Sequence, residues 1–252
     1  MFSTSFFKKS GTCFIAGLVV SALLLMVGNG GNIPWLPPVL VFSMVGISLL
    51  FAIIFPFIWQ YKENRQTIDS NKIYGFLYTF IRYCIAFNVA SFGWKKIFGL
   101  QFIIPIEIAN KPMNQQSGEW LTWFYFGYSN AFGLIIAFIQ IGGAYLLLFR
   151  KTLLLGSVIL FSFMFNLTLI NIFYQMNAGA LLQSVLLTIG IVFLILLDYN
   201  RLVTFFLKNQ SNLPAFSIRN VLTKNVLRVA VIVISLLFTI YLKTLIRQKL
   251  FT

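Results

Sequence analysis

The sequence predicts an all-α, polytopic membrane protein of about seven spans, and three observations predict it. Of 252 residues, 59% are hydrophobic and only 10% are charged, with a mean hydropathy of +0.89, far more apolar than a water-soluble domain of this length. Seven apolar runs reach the roughly 20 residues that a helix needs to cross about 30 Å of hydrocarbon. The 19 Lys and Arg, against 5 Asp and Glu, fall mostly between those runs, where positive charge holds loops on the cytoplasmic side.

The runs lie near residues 11–29, 38–59, 73–93, 120–148, 152–174, 178–198 and 226–246. They are continuous rather than alternating, so they read as helices and not as barrel strands. The first follows Lys8 and Lys9 and ends in GNGGN; a cleaved signal peptide has a similar outline, but the run is long and no A-x-A site follows, so it reads as a retained helix. With the N-terminus inside, the inner segments hold Lys8, Lys9, Lys62, Arg65, Lys72, Arg150, Lys151, Arg201, Lys208, Arg219, Lys224 and Arg228. The outer segments hold Lys95, Lys96, Lys111, Lys243, Arg247 and Lys249. That imbalance predicts an N-inside, C-outside chain in the cytoplasmic (inner) membrane.

Three segments follow. Residues 1–72 hold two helices and an inner loop. Residues 73–208 hold four helices and one sizeable outer loop, 99–119, with Pro105, Pro112, Glu107 and Glu119. Residues 209–252 hold an inner linker and the last helix; the inner connection as a whole runs over 199–225 and contains an FFLKNQSNLP breaker.

The order of features from Arg82 onward carries a resemblance. Arg82-Tyr83 stands early in a helix that ends in Gly93-Trp94-Lys95-Lys96, followed by GLQF and a Gly-Glu-Trp start to a long helix. Then come Gln140-Ile-Gly-Gly, LLLFRKT, LLGSVILFSFMFNLTLINIFY and LLDYNRLVTFFLKN. Over residues 73–208 the chain resembles the DoxX-like family of bacterial integral membrane proteins. The resemblance implies a compact four-helix core and a place near quinone-linked redox complexes. It also marks departures: family members commonly carry a glutamate where this chain has Gln140. They also carry a Tyr-Asp-Val-Pro-like turn with a lysine, where this chain has Tyr174, Gln175, Met176, Asn177, Ala178 and Gly179.

The residue inventory excludes several chemistries. Without histidine there is no imidazole ligand for haem or zinc and no histidine base. Cys13 and Cys84 sit in different runs and make no CxxC pair. No basic domain stands outside the spans, so nucleic acid is not a partner. The prolines avoid span centres, which argues against a carrier built on broken helices.

Two sets of residues remain as candidate sites. Arg82 is a full charge inside a span, and such a group normally faces the bundle interior and finds a partner. Gln140, on the oppositely directed fourth run, lies at a matching depth and is the expected partner, the alternative being a guanidinium that snorkels to the interface. The fourth run also carries Ser129, Gly133, Ala137, Gln140 and Ala144 on one face, a stripe that lets a neighbouring helix approach closely. The second set is a neutral polar group toward the outer surface: Asn88, Ser91, Tyr125, Tyr128, Asn171, Gln175 and Gln183. These residues suit a quinone carbonyl or a lipid headgroup, and equally well serve as interhelical hydrogen bonds. Trp59, Trp94, Trp120, Trp123 and Tyr199 read as interface anchors, and Asp198 as a partner for Arg201 or Arg150.

The expected role is that of a non-catalytic subunit or scaffold of the cell envelope, with membrane lipid and other membrane or redox proteins as partners. The rival reading is a lipid- or quinone-binding protein with a polar pocket at the outer helix ends, and a small-molecule transporter is a further alternative. No catalytic residue, metal ligand or resident cofactor is expected beyond a quinone or lipid.

Overall fold

Asp69, Ser117, Ser129 and Asn177 each turn a side-chain oxygen onto a free amide of the helix that follows, at Asn71, Trp120, Phe132 and Ala180, which is why those helices begin where they do. A computed structural model describes residues 5–29, 36–209 and 221–250. Its helices are α1 Phe6–Asn29, α2 Pro38–Asn64, α3 Ser70–Ile97, α4 Ile106–Ala109, α5 Gly118–Gly127, α6 Asn130–Leu146, α7 Leu153–Phe173, α8 Ala178–Leu197, α9 Tyr199–Val203 and α10 Val221–Leu250. Among the described residues there is no strand.

Among the described residues six helices are long and apolar enough to cross a membrane: α1, α2, α3, α7, α8 and the Asn225–Lys243 stretch of α10. A seventh span exists if α5 and α6 count as one. The protein is therefore an all-helical, polytopic membrane protein. On α2, Val39, Phe42, Ile47, Leu50, Phe51 and Phe57 are all at least 60% exposed, as suits side chains whose solvent is lipid.

The expected single span at 120–148 is not continuous. α5 and α6 meet at 95°, because Ser129 leaves helical geometry (φ −125°, ψ 118°) and caps α6 afresh. α3, by contrast, runs unbroken through the expected 73–93 and beyond it at both ends. It stops in a Schellman turn, in which the Leu100 amide bonds Lys95 O and the Gly99 amide bonds Lys96 O. Gly99 takes φ +66° there, the left-handed conformation that a residue without Cβ adopts at no steric cost.

Residues up to Leu207 form one compact unit and those from Lys208 a second. In the first unit α1 packs on α2, α3 and α8, and the neighbours α3 and α6, α6 and α7, and α7 and α8 complete the ring. The expected four-helix core of α3, α6, α7 and α8 thus includes a further member. Ala16, Val19 and Ala22 of α1 share one apolar core with Ile81, Ile85 and Val89 of α3, Leu160 of α7 and Leu187 and Ile191 of α8. The boundary drawn at residue 72 therefore falls inside a single body. α2 lies outside this ring, against α1. The second unit holds α10, which contains the whole of the expected 226–246 run. The expected linker lies largely outside the described residues, as do residues 30–32 of the GNGGN turn.

Helix directions give the first unit two ends. Lys9 of α1 pairs with Glu63 of α2, and α3 starts beside them. α6 runs back along α3, α7 returns and α8 runs back again. Lys8, Lys9, Lys62, Arg65, Lys72, Arg150, Lys151 and Arg201 therefore gather at one end, here the basic end. Lys95, Lys96 and Lys111 stand at the other, the loop end.

Candidate functional site

At the basic end the sequence places a lysine early in α1, a Trp-Gln-x-x-Glu stretch late in α2 and Ser70 first in α3. The fold brings them together. Lys9 is 1% exposed; its ammonium pairs with Glu63, donates to Gln60 Oε1 at 2.7 Å and lies 5.7 Å from the Trp59 ring centre. Ser70 donates to Glu63 and accepts from Trp59 Nε1 at 2.9 Å. Trp59, expected as an interface anchor, is instead a buried member of this network at 1% exposure. Lys9, read only as a topology signal, is a structural ion. Asp198 does meet Arg201, at 3.5 Å, and Arg201 also donates to Lys151 O.

Arg82 is 2% exposed, so it faces the interior and does not snorkel. It does not pair with Gln140. Nε and Nη2 both donate to Leu147 O, at 2.9 and 2.7 Å, and the Tyr78 ring lies 5.4 Å from the guanidinium carbon. Leu147 follows the last residue of α6, so the cation meets the free carbonyl end of a helix, where the dipole is negative.

Gln140 belongs elsewhere. It is 1% exposed, its Oε1 has no hydrogen-bond partner, and it lines a cavity of about 450 Å³, within the size range of small-molecule sites. The cavity lies toward the loop end of the first unit and receives side chains from seven helices. α1 and α2 contribute Leu25, Met26, Val41 and Phe42. α3 contributes Val89, Phe92, Lys95 and Lys96. α5 covers it with Thr122, Trp123 and Phe126, and α7 and α8 close it with Met164, Asn171, Gln183, Ser184 and Leu187. No aspartate or glutamate lines it. Phe102, in the loop after α3, stacks on Phe126 at 5.6 Å and meets Trp123 edge-on, which ties that loop to the α5 cover.

The expected outer polar group is only partially brought together. Asn171 lines the cavity, its Nδ2 donating to Ala180 O at 3.0 Å and Ser184 Oγ at 2.9 Å. Gln183 lines it too and donates to Asn88 Oδ1 at 3.3 Å and Ala22 O at 3.2 Å. Asn88 is fully buried with Nδ2 unpartnered. The other four stand apart. Ser91 bonds Phe87 O of its own helix. Tyr125 and Tyr128 are 63% and 93% exposed. Gln175, at φ +52°, closes α7, with the Met176 amide on Asn171 O. The stripe expected on one face splits as well: Ser129 is a cap, Gly133 is not in close contact, and Ala137 and Ala144 are fully buried.

Several lining residues escaped the sequence reading: Lys95, Lys96, Gln101, Thr122 and Ser184. A signal for some was present. Asn88, Phe92 and Lys95/Lys96 recur at one face of α3, and Ala180, Gln183, Ser184 and Leu187 at one face of α8. The α1 and α5 contributions had none, since only the fold puts those helices there.

No family model matches the chain, and no solved structure matches it. It is similar to a Bacillus subtilis (strain 168) protein described as "Uncharacterized protein YwoB", 33% identical over 128 residues, 50% of this chain and 79% of that protein. By that likeness the chain belongs to the family of YwoB.

Proposed function

We propose that this protein binds an amphipathic, lipid-soluble molecule, a lipid or a quinone, in the cavity at the loop end. One observation carries the reading: Gln140 holds an unpartnered acceptor, buried to 1%, at the wall of a cavity of about 450 Å³. A buried amide oxygen without a donor is costly, and a ligand hydroxyl or amide inside the cavity relieves that cost. The apolar bulk of the lining suits a hydrocarbon or isoprenoid body, and the neutral amides of Gln140, Asn171 and Gln183 suit its polar groups. Arg82, held by Leu147 O, is a packing residue in this reading.

The chain sits in the cytoplasmic membrane with the basic end inside, as the excess of cations at that end supports. The resemblance to DoxX-like proteins supports a role in the envelope beside other membrane proteins; the scaffold reading is what remains if no ligand exists.

The test is purification in mild detergent, followed by solvent extraction, absorbance and mass spectrometry. Wild type retains a stoichiometric lipid or quinone. Gln140→Leu folds with an unchanged thermal midpoint and loses it. A wild-type protein without any companion molecule returns the role to the scaffold.

A further inference from the structure

We propose that the cavity takes an acyl lipid with an anionic head group, its head held by Lys95 and Lys96 and its chain admitted sideways from the bilayer between α6 and α7. The inference rests on the ligand-binding reading above and names the class of ligand.

The lining is complementary in charge to an anion. Lys95 and Lys96 line the cavity and no carboxylate does. Lys96 Nζ is anchored only weakly, to Phe92 O at 3.4 Å and over the Phe102 ring at 5.7 Å, so its donors are free to turn toward a phosphate or carboxylate. Gln101, also on the lining, holds a second buried, unpartnered acceptor, which matches a head-group hydroxyl or a protonated acid.

A second concavity lies on the outer face of α6 and α7. Phe126, Ile136, Phe163 and Leu167 line both hollows, so one layer of side chains separates the cavity from that face. The two helices are pressed together at the basic end, where a Cβ on Gly156 would stand 2.9 Å from Gly143 O. Toward the loop end, beneath the break between α5 and α6, they leave the outer hollow. Asn166 lines that hollow, exposed and two-thirds of the way along the α7 span. Among the described residues its side chain makes no hydrogen bond, an amide that hydrocarbon alone would leave unsatisfied. An ester group passing between α6 and α7 supplies its partner.

The test places the full chain in phosphatidylcholine vesicles doped with pyrene-labelled phosphatidylglycerol, oleate or phosphatidylcholine, and reads energy transfer from the protein's tryptophans. Both anionic probes bind about tenfold or more tighter than the phosphatidylcholine probe. Lys95→Gln/Lys96→Gln abolishes that preference, Lys95→Arg/Lys96→Arg keeps it, and Lys111→Gln, at the same end but outside the cavity, leaves it unchanged. Inorganic phosphate does not displace the probes; displacement would identify a soluble anion and overturn the lipid assignment. Leu167→Trp thickens the shared wall and slows probe uptake several-fold at an unchanged thermal midpoint, whereas uptake at the wild-type rate overturns the lateral route. Equal affinity for all three probes overturns the anionic class but leaves the cavity reading standing. Absence of binding by any probe overturns both.

Discussion

Arg82 of α3 caps the C-terminus of α6 by a forked pair of hydrogen bonds to Leu147 O, at 2.9 Å from Nε and 2.7 Å from Nη2. A guanidinium costs several kcal/mol to bury alone, and the negative end of a helix is a neutral group able to offset some of that cost. Arg82→Leu leaves a buried carbonyl without a donor and removes two charge-assisted bonds, so it lowers stability by about 2–3 kcal/mol. Arg82→Lys, a point charge without the fork, loses about half as much. Thermal unfolding in detergent checks both, and a midpoint unchanged in Arg82→Leu would remove the capping role.

The Lys9, Glu63 and Ser70 network welds three helices at the basic end. Lys9 is 1% exposed while the Glu63 side chain is 16% exposed, so partial solvation discounts the pair. Lys9→Met alone destabilises by about 2–4 kcal/mol. Lys9→Met/Glu63→Met recovers much of that loss, because replacing both ions by apolar groups removes the desolvation cost with the attraction. A double-mutant cycle from unfolding midpoints measures the coupling; strict additivity of the two losses would refute it.

Close approach of α6 to α7 depends on missing side chains. A Cβ at Gly156 would meet Leu146 Cβ at 2.8 Å and Gly143 O at 2.9 Å, whereas one at Gly142 would meet nothing within 4 Å. Gly156→Ala forces backbone apart and costs about 1–3 kcal/mol, while Gly142→Ala is neutral or stabilising by up to about 1 kcal/mol through helix propensity. Paired melting curves distinguish the sites, and equal behaviour would show that α6 and α7 are not pressed together there.

Gln175 holds φ +52° at the end of α7 and is exposed. A side chain in that left-handed conformation costs about 1–2 kcal/mol. Gln175→Gly therefore stabilises by about 1 kcal/mol and leaves ligand binding intact, since Gln175 is not on the cavity lining. A loss of bound ligand in this variant would return Gln175 to the site.

The candidate site was half legible. Asn171 and Gln183 were found because polar side chains in apolar runs are conspicuous, and Gln140 for the same reason, though its partner was misassigned. Depth counted from span ends was off by about two helical turns. Arg82 reaches Leu147, just past α6, whereas the α3 residue beside Ala137 and Ile141 is Gly93, and Gln140 lines the cavity toward the loop end. Lys9 and Trp59 were misread by an average rule, since cations and aromatics near span ends usually face the interface and these two face Glu63 and Ser70.

By itself the sequence determined that hydrocarbon is the solvent of this chain, that its spans are helical, and where the cations between them fall. These follow because length, apolarity and backbone hydrogen bonding are local requirements of a bilayer. Only the tertiary structure decided that α1 joins the core, that the run at 120–148 bends by 95° at Ser129, and that seven helices line a cavity with an unpartnered Gln140 on its wall. Those outcomes rest on which faces meet, and in lipid that choice is made by close packing of small residues and by pairing of buried polar atoms across helices far apart in sequence.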